Sequence, residues 1–379
     1  MTAMLSTLVQ SKFKALISVF FCVFFASRSS FAQDSFVLDP SILDQASVDQ
    51  EKLGKVFLSD LFLSPRFDYS EPKSGQFLLG RSYAAADWTG GDMISGHFAF
   101  GTKSLLGVPA RYGAVSEENF AMIEGYAQIA TEYGRARLGL QPIPFGLESG
   151  VNEANLRFER SLLYQRGLIG IRDLGVGYSI SNDGFFNDWL IHNGESGQEL
   201  DNQVWFTTRI GYHRNFFTGG LSAQTGKTNP LSTDPTGNLA ATPAGSPQVT
   251  GINIDEGAKY RLFNIFFAYR SKDIESSFEF TTMDVYQTER NVHPNTGHLD
   301  VYVPIKEMWG ALFRYDYFDA KEAGMPTNQQ YTIGACLKSK FETSNLYIYA
   351  SRNVLPAPLN DTHQVLLVWR ISPFAQKYN

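Results

Sequence analysis

Cysteine is nearly absent, with only Cys22 and Cys336 in 379 residues. Cys22 falls in a segment expected to be cleaved off, which leaves Cys336 alone and rules out an internal disulfide. An exported soluble domain of this length would tolerate disulfides and often uses them, so their lack points to another stabiliser. Long apolar runs are also missing. Beyond residue 32 no stretch reaches the roughly 20 apolar residues a membrane helix needs. Basic charge is not in surplus either: 32 Lys and Arg stand against 38 Asp and Glu, for a net −6. There is no glycine-rich phosphate loop after a strand and no basic aromatic patch, so nucleotides and nucleic acids are poor candidate ligands. The six His are scattered at 97, 192, 213, 293, 298 and 363. His293 and His298 share one stretch, but their spacing is no metal signature and no cysteines accompany them, so no cofactor is expected.

What is present at the N-terminus predicts export. Lys12 and Lys14 precede an apolar run from Ala15 to Ala26, and Ser30-Phe31-Ala32 forms a small-residue cleavage site. The run is too short for a transmembrane anchor and reads as a signal peptide over 1–32, with Gln33 as the first mature residue. Val19, Phe20 and Phe21 make a poor lipobox before Cys22. Cleavage removes Lys12, Lys14 and Arg28 and no acid, taking the charge from −6 to −9. Residues 33–52 lack any alternation and read as a periplasmic lead-in, leaving 53–379 as the main body.

The full chain is rich in rings, with 30 Phe and 18 Tyr, yet its mean hydropathy is −0.18. Aromatic and polar side chains must therefore be sorted onto different faces. Period-two alternation does this from about residue 55 to the C-terminus. At 203–213, Gln203, Trp205, Thr207, Arg209, Gly211 and His213 share one face, and Val204, Phe206, Thr208, Ile210 and Tyr212 the other. The same sorting recurs at 309–317 and 328–340. A helix would spread these residues around its surface, whereas a strand separates them. A closed barrel then stabilises the fold without disulfides, because no strand edge is left unpaired. The predicted fold is all-β: a transmembrane antiparallel barrel with apolar residues towards lipid and polar ones towards a wet lumen. Fifteen segments carry the pattern and one more is expected at 298–304 or 156–164. Even strand numbers are the bacterial rule, so sixteen strands are predicted, with fourteen as the alternative.

Residues 139–197 carry more than alternation. GLQPIPFGLE closes a strand, RFERSL follows at 157–162, GIRDLGVGYS opens the next strand at 170–179, and FFNDWLIHNGESG ends in a loop. This order resembles the phosphate-selective porin O and P family over about 60 residues. The resemblance implies a sixteen-stranded, homotrimeric outer-membrane channel. It places Pro144-Phe145-Gly146 and Glu159-Arg160-Ser161 in a pore-narrowing connection, with Arg172 and Asp173 at the start of the following strand. The family's basic ladder is not visible here. The C-terminus also departs, because Trp369-Arg370-Ile371 is followed by eight more residues, with Phe374 or Tyr378 as a terminal aromatic.

The residues by themselves also single out 143–170. Pro142 and Pro144 cannot donate ladder hydrogen bonds, and the strand resumes only near Ile171. The stretch holds Glu148, Glu153, Arg157, Glu159, Arg160 and Arg166, but also Leu156, Phe158, Leu162, Leu163 and Tyr164. Apolar residues that anchor the loop inside the barrel would present those charges to the pore. Strand parity adds Glu124, Glu132, Arg135 and Arg137 on facing lumen walls, with 132 opposite 135 across a Tyr133-Gly134 turn. Two enzyme readings compete: His192 with Ser196 as a phospholipase-like pair, or Asp183, Asp188 and His192 as a protease-like rim. Ser196 lies between Gly194 and Gly197, where a nucleophile is poorly held. The sequence thus predicts a non-enzymatic outer-membrane pore for small hydrophilic solutes or ions, in contact with membrane lipid and lipopolysaccharide. A barrel hydrolase and a non-conducting structural barrel are the alternatives.

Overall fold

The computed structural model describes residues 56–372, apart from 71–74, 91–92, 107–119, 150, 152, 166–168, 195–203, 228–258, 287–290, 320–326, 339–343 and 355–360. The expected signal peptide, the lead-in, Arg166, Ser196 and the C-terminal aromatics lie outside the described residues. Nineteen strand segments form one antiparallel sheet. The first are β1 (Val56–Phe62), β2 (Arg66–Ser70), β3 (Gln76–Leu78), β4 (Tyr83–Thr89) and β5 (Ile94–Thr102). Then come β6 (Phe120–Thr131), β7 (Gly134–Pro142), β8 (Arg172–Asn182), β9 (Phe185–His192), β10 (Trp205–Arg214) and β11 (Phe217–Lys227). The second half comprises β12 (Lys259–Arg270), β13 (Glu275–Tyr286), β14 (Asn291–Val292), β15 (Asn295–Lys306), β16 (Trp309–Asp319), β17 (Asn328–Lys338), β18 (Ser344–Val354) and β19 (Thr362–Ile371).

Three pairs of segments are halves of one interrupted strand. β1 and β2 lie end to end against β4 and β3, with Phe62 opposite Tyr83 and Arg66 opposite Leu78. β14 and β15 lie end to end along β13, around His293-Pro294. Merging β1 with β2, β3 with β4, and β14 with β15 places the nineteen segments in sixteen positions (19 − 3). The last strand then meets the first: Leu63 and Ile371 exchange both backbone hydrogen bonds at 2.9 Å, and β2 continues along β19 from Val368 to Gln364. Among the described residues the ladder thus returns to its start through β2 and β19. Sixteen is the number the alternation predicts, and the hidden strand is the one at 298–304. Residues 156–164 form no strand.

The faces sort as read from the sequence. Along β12, Phe263, Ile265 and Phe267 are exposed outward, while Leu262, Asn264 and Phe266 are buried inside. Gln330, Thr332 and Cys336 on β17 point inward, and Tyr331 and Ile333 outward. Turn chemistry sets the hairpins. Asp183 and Gly184 between β8 and β9 both have positive φ, +47° and +80°, as a two-residue hairpin turn with primed geometry requires.

Two sequence expectations fail locally. The β6–β7 turn consists of Glu132 and Tyr133, with Thr131 opposite Gly134 and Gln128 opposite Arg137. Glu132 therefore does not oppose Arg135; it sits exposed in the turn. The pairing also skips Ile123, since Ala99 pairs with Glu124 and Phe100 with Met122. This bulge turns Ile123 inward beside Glu124, although simple alternation assigns it to lipid. Ile123 is fully buried with Phe62, Tyr83, Ala85, Ala99 and Leu105. Past the bulge parity holds. A cysteine at Arg137 in a Cys336→Ser background is expected to react with a membrane-impermeant thiol reagent, while one at Leu138 is shielded by lipid. The reverse pattern would mean a one-residue error in register, which flips every side chain.

Candidate pore constriction

The stretch between β7 and β8 leaves the wall at the Pro142–Arg172 rung and does not stay outside. Ile143 N–H still donates to the Ile171 carbonyl (2.9 Å), after which the chain turns into the barrel. Wall side chains take over its backbone hydrogen bonding, as buried polar groups require. Gly146 N–H donates to Ser222 Oγ on β11 (2.9 Å). Leu147 and Glu148 N–H both donate to Glu279 Oε1 on β13, at 2.7 and 2.9 Å. Leu162 N–H reaches Asp316 Oδ1 on β16 (3.3 Å), and Tyr349 Oη on β18 donates to the Arg157 carbonyl (2.5 Å). The guanidiniums of Arg314 and Arg370 donate to the carbonyls of Glu159 and Leu156. One loop is thus pinned to strands from β11 round to β19.

Its apolar residues are the anchors the sequence suggested. Phe145, Leu162, Leu163 and Tyr164 pack against Leu190, Tyr260, Leu262, Met283 and Phe318. Phe158 fills a pocket of Tyr302, Leu312, Tyr347, Tyr349 and Val368. Burying each such side chain contributes about 1.5–3 kcal/mol. The lumen face under the loop is accordingly apolar, which plain alternation of wet and lipid faces does not foresee. Gly146 is fixed by a close approach: it has φ +61°, and a Cβ there would run into the Glu279 carboxylate. Gly146→Ala is therefore expected to loosen the loop by at least about 1 kcal/mol, read as a lower protease threshold with unchanged barrel mobility on gels.

The predicted charges separate into two sets. Most are structural. Arg160, with no exposed surface, binds the carbonyls of Glu148 and Val151 and the Glu153 carboxylate, and lies over the Tyr164 ring at 5.5 Å. Glu153 Oε2 also accepts from Arg172 Nη2 at 3.1 Å, and Arg172 Nε donates to Glu124 Oε1 at 2.7 Å. Glu148 accepts from Ser161 N–H and Oγ at 2.8 and 2.7 Å, and from Arg314 Nη2 at 2.6 Å. Burial opposes ionisation of both loop acids, but their cationic neighbours win. Arg160 and Arg172 hold Glu153 far below the carboxylate range. Arg314, His298 and the Ser161 N–H hold Glu148 at about 2. The expectation that Arg160 and Arg172 present charge to the pore is thus corrected. They are ion-paired inside the wall because the loop packs too tightly to leave them wet.

The second set keeps access to solvent. Glu159 Oε2 lies 3.6 Å from Arg81 Nη1 and its Oε1 3.6 Å from Arg370 Nη2, with 26% and 18% of the Glu159 and Arg81 side chains exposed. Arg66 adds a third positive charge, and despite burial the three arginines hold the Glu159 carboxyl below its usual range. Arg157 pairs with Glu275 at 2.8 Å and lies over the Tyr302 ring at 4.6 Å, with about the same exposure as Glu275. Arg137 donates to Gln128 Oε1 at 2.9 Å and lies over Tyr126, away from Glu132 and Glu124. Arg135, opposite Ala130 one rung from the Glu132 turn, shares Arg137's inward parity. The sequence reading missed Arg66, Arg81 and Arg370. They come from opposite ends of the chain, and their only signal was inward parity near the seam.

The enzyme constellations are also placed. Asp188 pairs with Arg209 at 2.6 Å, not with His192. His192 bridges Asp173 (2.6 Å) and Thr207 Oγ1 (2.9 Å), with all three residues buried.

No family model matches the chain, and no curated protein matches it. Solved structures do resemble it. A loop-deletion form of OmpT, an outer membrane protein of Vibrio cholerae, superimposes with a TM-score of 0.62 at 13% identity, covering 84% of this chain and 99% of the other. The anion-selective porin of Comamonas acidovorans gives 0.60 at 12% identity over 84% and 99%. The outer membrane channel DcaP of Acinetobacter baumannii gives 0.58 at 9% identity over 86% and 99%. Identities this low speak for architecture, and the chain has a porin-like transmembrane β-barrel fold.

Proposed function

We propose that this chain is an outer-membrane diffusion channel for small hydrophilic solutes or ions, exported through a signal peptide ending at Ala32. The observation that carries the reading is the loop 143–171, drawn across the interior and pinned to strands from β11 to β19. A barrel whose interior served only as packing would have no need of a carboxylate facing three arginines at a solvent-accessible spot. Restricted diffusion needs such fixed charges and a limiting aperture, and no reaction step. Glu159 on the loop against Arg66, Arg81 and Arg370 on the wall supplies the charges.

The resemblance to the phosphate-selective porin O and P family makes anions the first solutes to test, and the arginine group at the seam supports that choice. A homotrimer is the corresponding assembly, and one similar structure is described as a trimer form. The reading is non-enzymatic, supported by the burial of the His192 pair and the engagement of Asp188 by Arg209. Planar-bilayer recording of the refolded protein tests it. Stepwise conductance is expected, with protein that migrates faster unboiled than boiled. A folded, heat-modifiable barrel without conductance would leave the structural-barrel alternative.

A further inference from the structure

Facing the loop is a row of charge that the pore reading does not use. Glu279 on β13, His298 on β15 and Asp316 on β16 are directly opposed in the ladder, so period-two geometry aims all three inward at one level. Asp300, two residues from His298, pairs across with Arg314. Glu148 of the loop enters this group and completes it. Four carboxylates, those of Glu148, Glu279, Asp300 and Asp316, thus surround His298, with Arg314 as the cation among them. Arg160 and Tyr164 lie behind Glu148 on the loop side. With a neutral imidazole and all four carboxylates ionised the group would carry −3 (−4 + 1), and buried surplus charge of this kind is costly enough that the row must hold protons as well as Arg314.

His298 Nε2 is buried and makes no hydrogen bond among the described residues. It stops 4.0 Å from Glu148 Oε1 and 3.9 Å from Asp300 Oδ2, just beyond hydrogen-bond reach. The position between those two carboxylates that a metal ion would need is taken by Arg314 Nη2, 2.6 Å from each. The counter-charge that Arg314 does not supply then falls to protons, with His298, Glu279 and Asp316 as the groups that can hold them.

We propose that this row is an acid-strengthened latch, in which proton uptake at His298 draws Glu148 and its loop onto the β13–β16 wall, and proton loss loosens it. Histidine changes charge between about pH 5 and 8, so the device works near neutrality. The sign follows from linkage: the docked loop places another carboxylate beside His298, so the docked state binds the proton more tightly and acid favours docking. Glu148 itself stays ionised until about pH 2, so the latch is not undone by the same acid that sets it.

The test uses a nitroxide at Leu156→Cys in a Cys336→Ser background, with the refolded barrel in lipid vesicles. The spectrum reads loop mobility and needs no conductance, so the latch and the channel function stand or fall separately. A mobile component is expected to grow several-fold from pH 5.5 to 8.5. His298→Gln should make it equal at both pH values, and Asp316→Asn, which removes one negative charge, should keep the loop immobile at both. Asp316→Asn carries the test if His298→Gln fails to fold. The same spectrum at both pH values in the parent, or a pH response that survives His298→Gln, overturns the latch. A mobile component that appears at pH 5.5 on adding EDTA also overturns it, since the counter-charge is then a metal ion.

Discussion

Arg160→Ala is expected to release the loop while leaving the barrel closed. The wild-type guanidinium is fully buried and satisfies two loop carbonyls and one carboxylate at once. Truncation leaves Glu153 buried with Arg172 as its one remaining cation, and breaking such a buried pair costs about 3–5 kcal/mol. Each orphaned carbonyl adds about 1–3 kcal/mol. Those losses rival the anchoring of two or three apolar side chains, whereas the β-ladder between strands is untouched. Single-channel current should become larger and noisier, with unboiled gel mobility unchanged. Unaltered current and noise would show that the apolar anchors hold the loop alone. The pH dependence has a defined sign. Glu148 and Glu153 have depressed values in the folded state, so their contribution is present above the ordinary carboxylate range. It is lost only as pH falls through the folded values, about 2 for Glu148, so these pairs keep the loop docked in moderate acid.

Arg81→Glu should swing ion preference towards cations, and Glu159→Gln towards anions. The site now sets three arginines against one carboxylate, and Arg81→Glu changes the local charge by two. At about 4 Å in water a unit charge is worth about 1 kcal/mol, enough for a several-fold change in permeability ratio. Reversal potentials across a potassium chloride gradient measure it. Opposite shifts for the two variants place the limiting aperture between loop and seam, and no shift in either would put it elsewhere. Arg81 is the cleaner site for charge reversal. Arg157 is tied to Glu275 and Tyr302, and Arg160 is buried, so reversing either would report on loop folding before selectivity.

The chain by itself determined the strands, their faces and the inserted loop. Each of these is a local property. Alternation such as Phe263, Ile265 and Phe267 against Leu262, Asn264 and Phe266 depends only on the period of two, and Pro142 and Pro144 end a ladder wherever they stand. Phe158 and Leu162 likewise had to be covered by something. Tertiary structure alone decided what covers them and which charges stay wet. Glu159 meets Arg81, between β3 and β4, and Arg370 on β19, near the two ends of the described residues, and His298 meets Glu148 of the loop, at separations no local pattern encodes. The bulge at Ile123 shifts pairing by one residue and the Glu132-Tyr133 turn by two; sequence parity detects neither, because it does not show where a bulge is inserted and a two-residue slip keeps every side chain on its face. Arg160 and Glu159 are adjacent in one motif and have opposite fates. One is sealed under the loop and the other keeps access to solvent, because packing, not residue type, settles which side of the backbone water can reach.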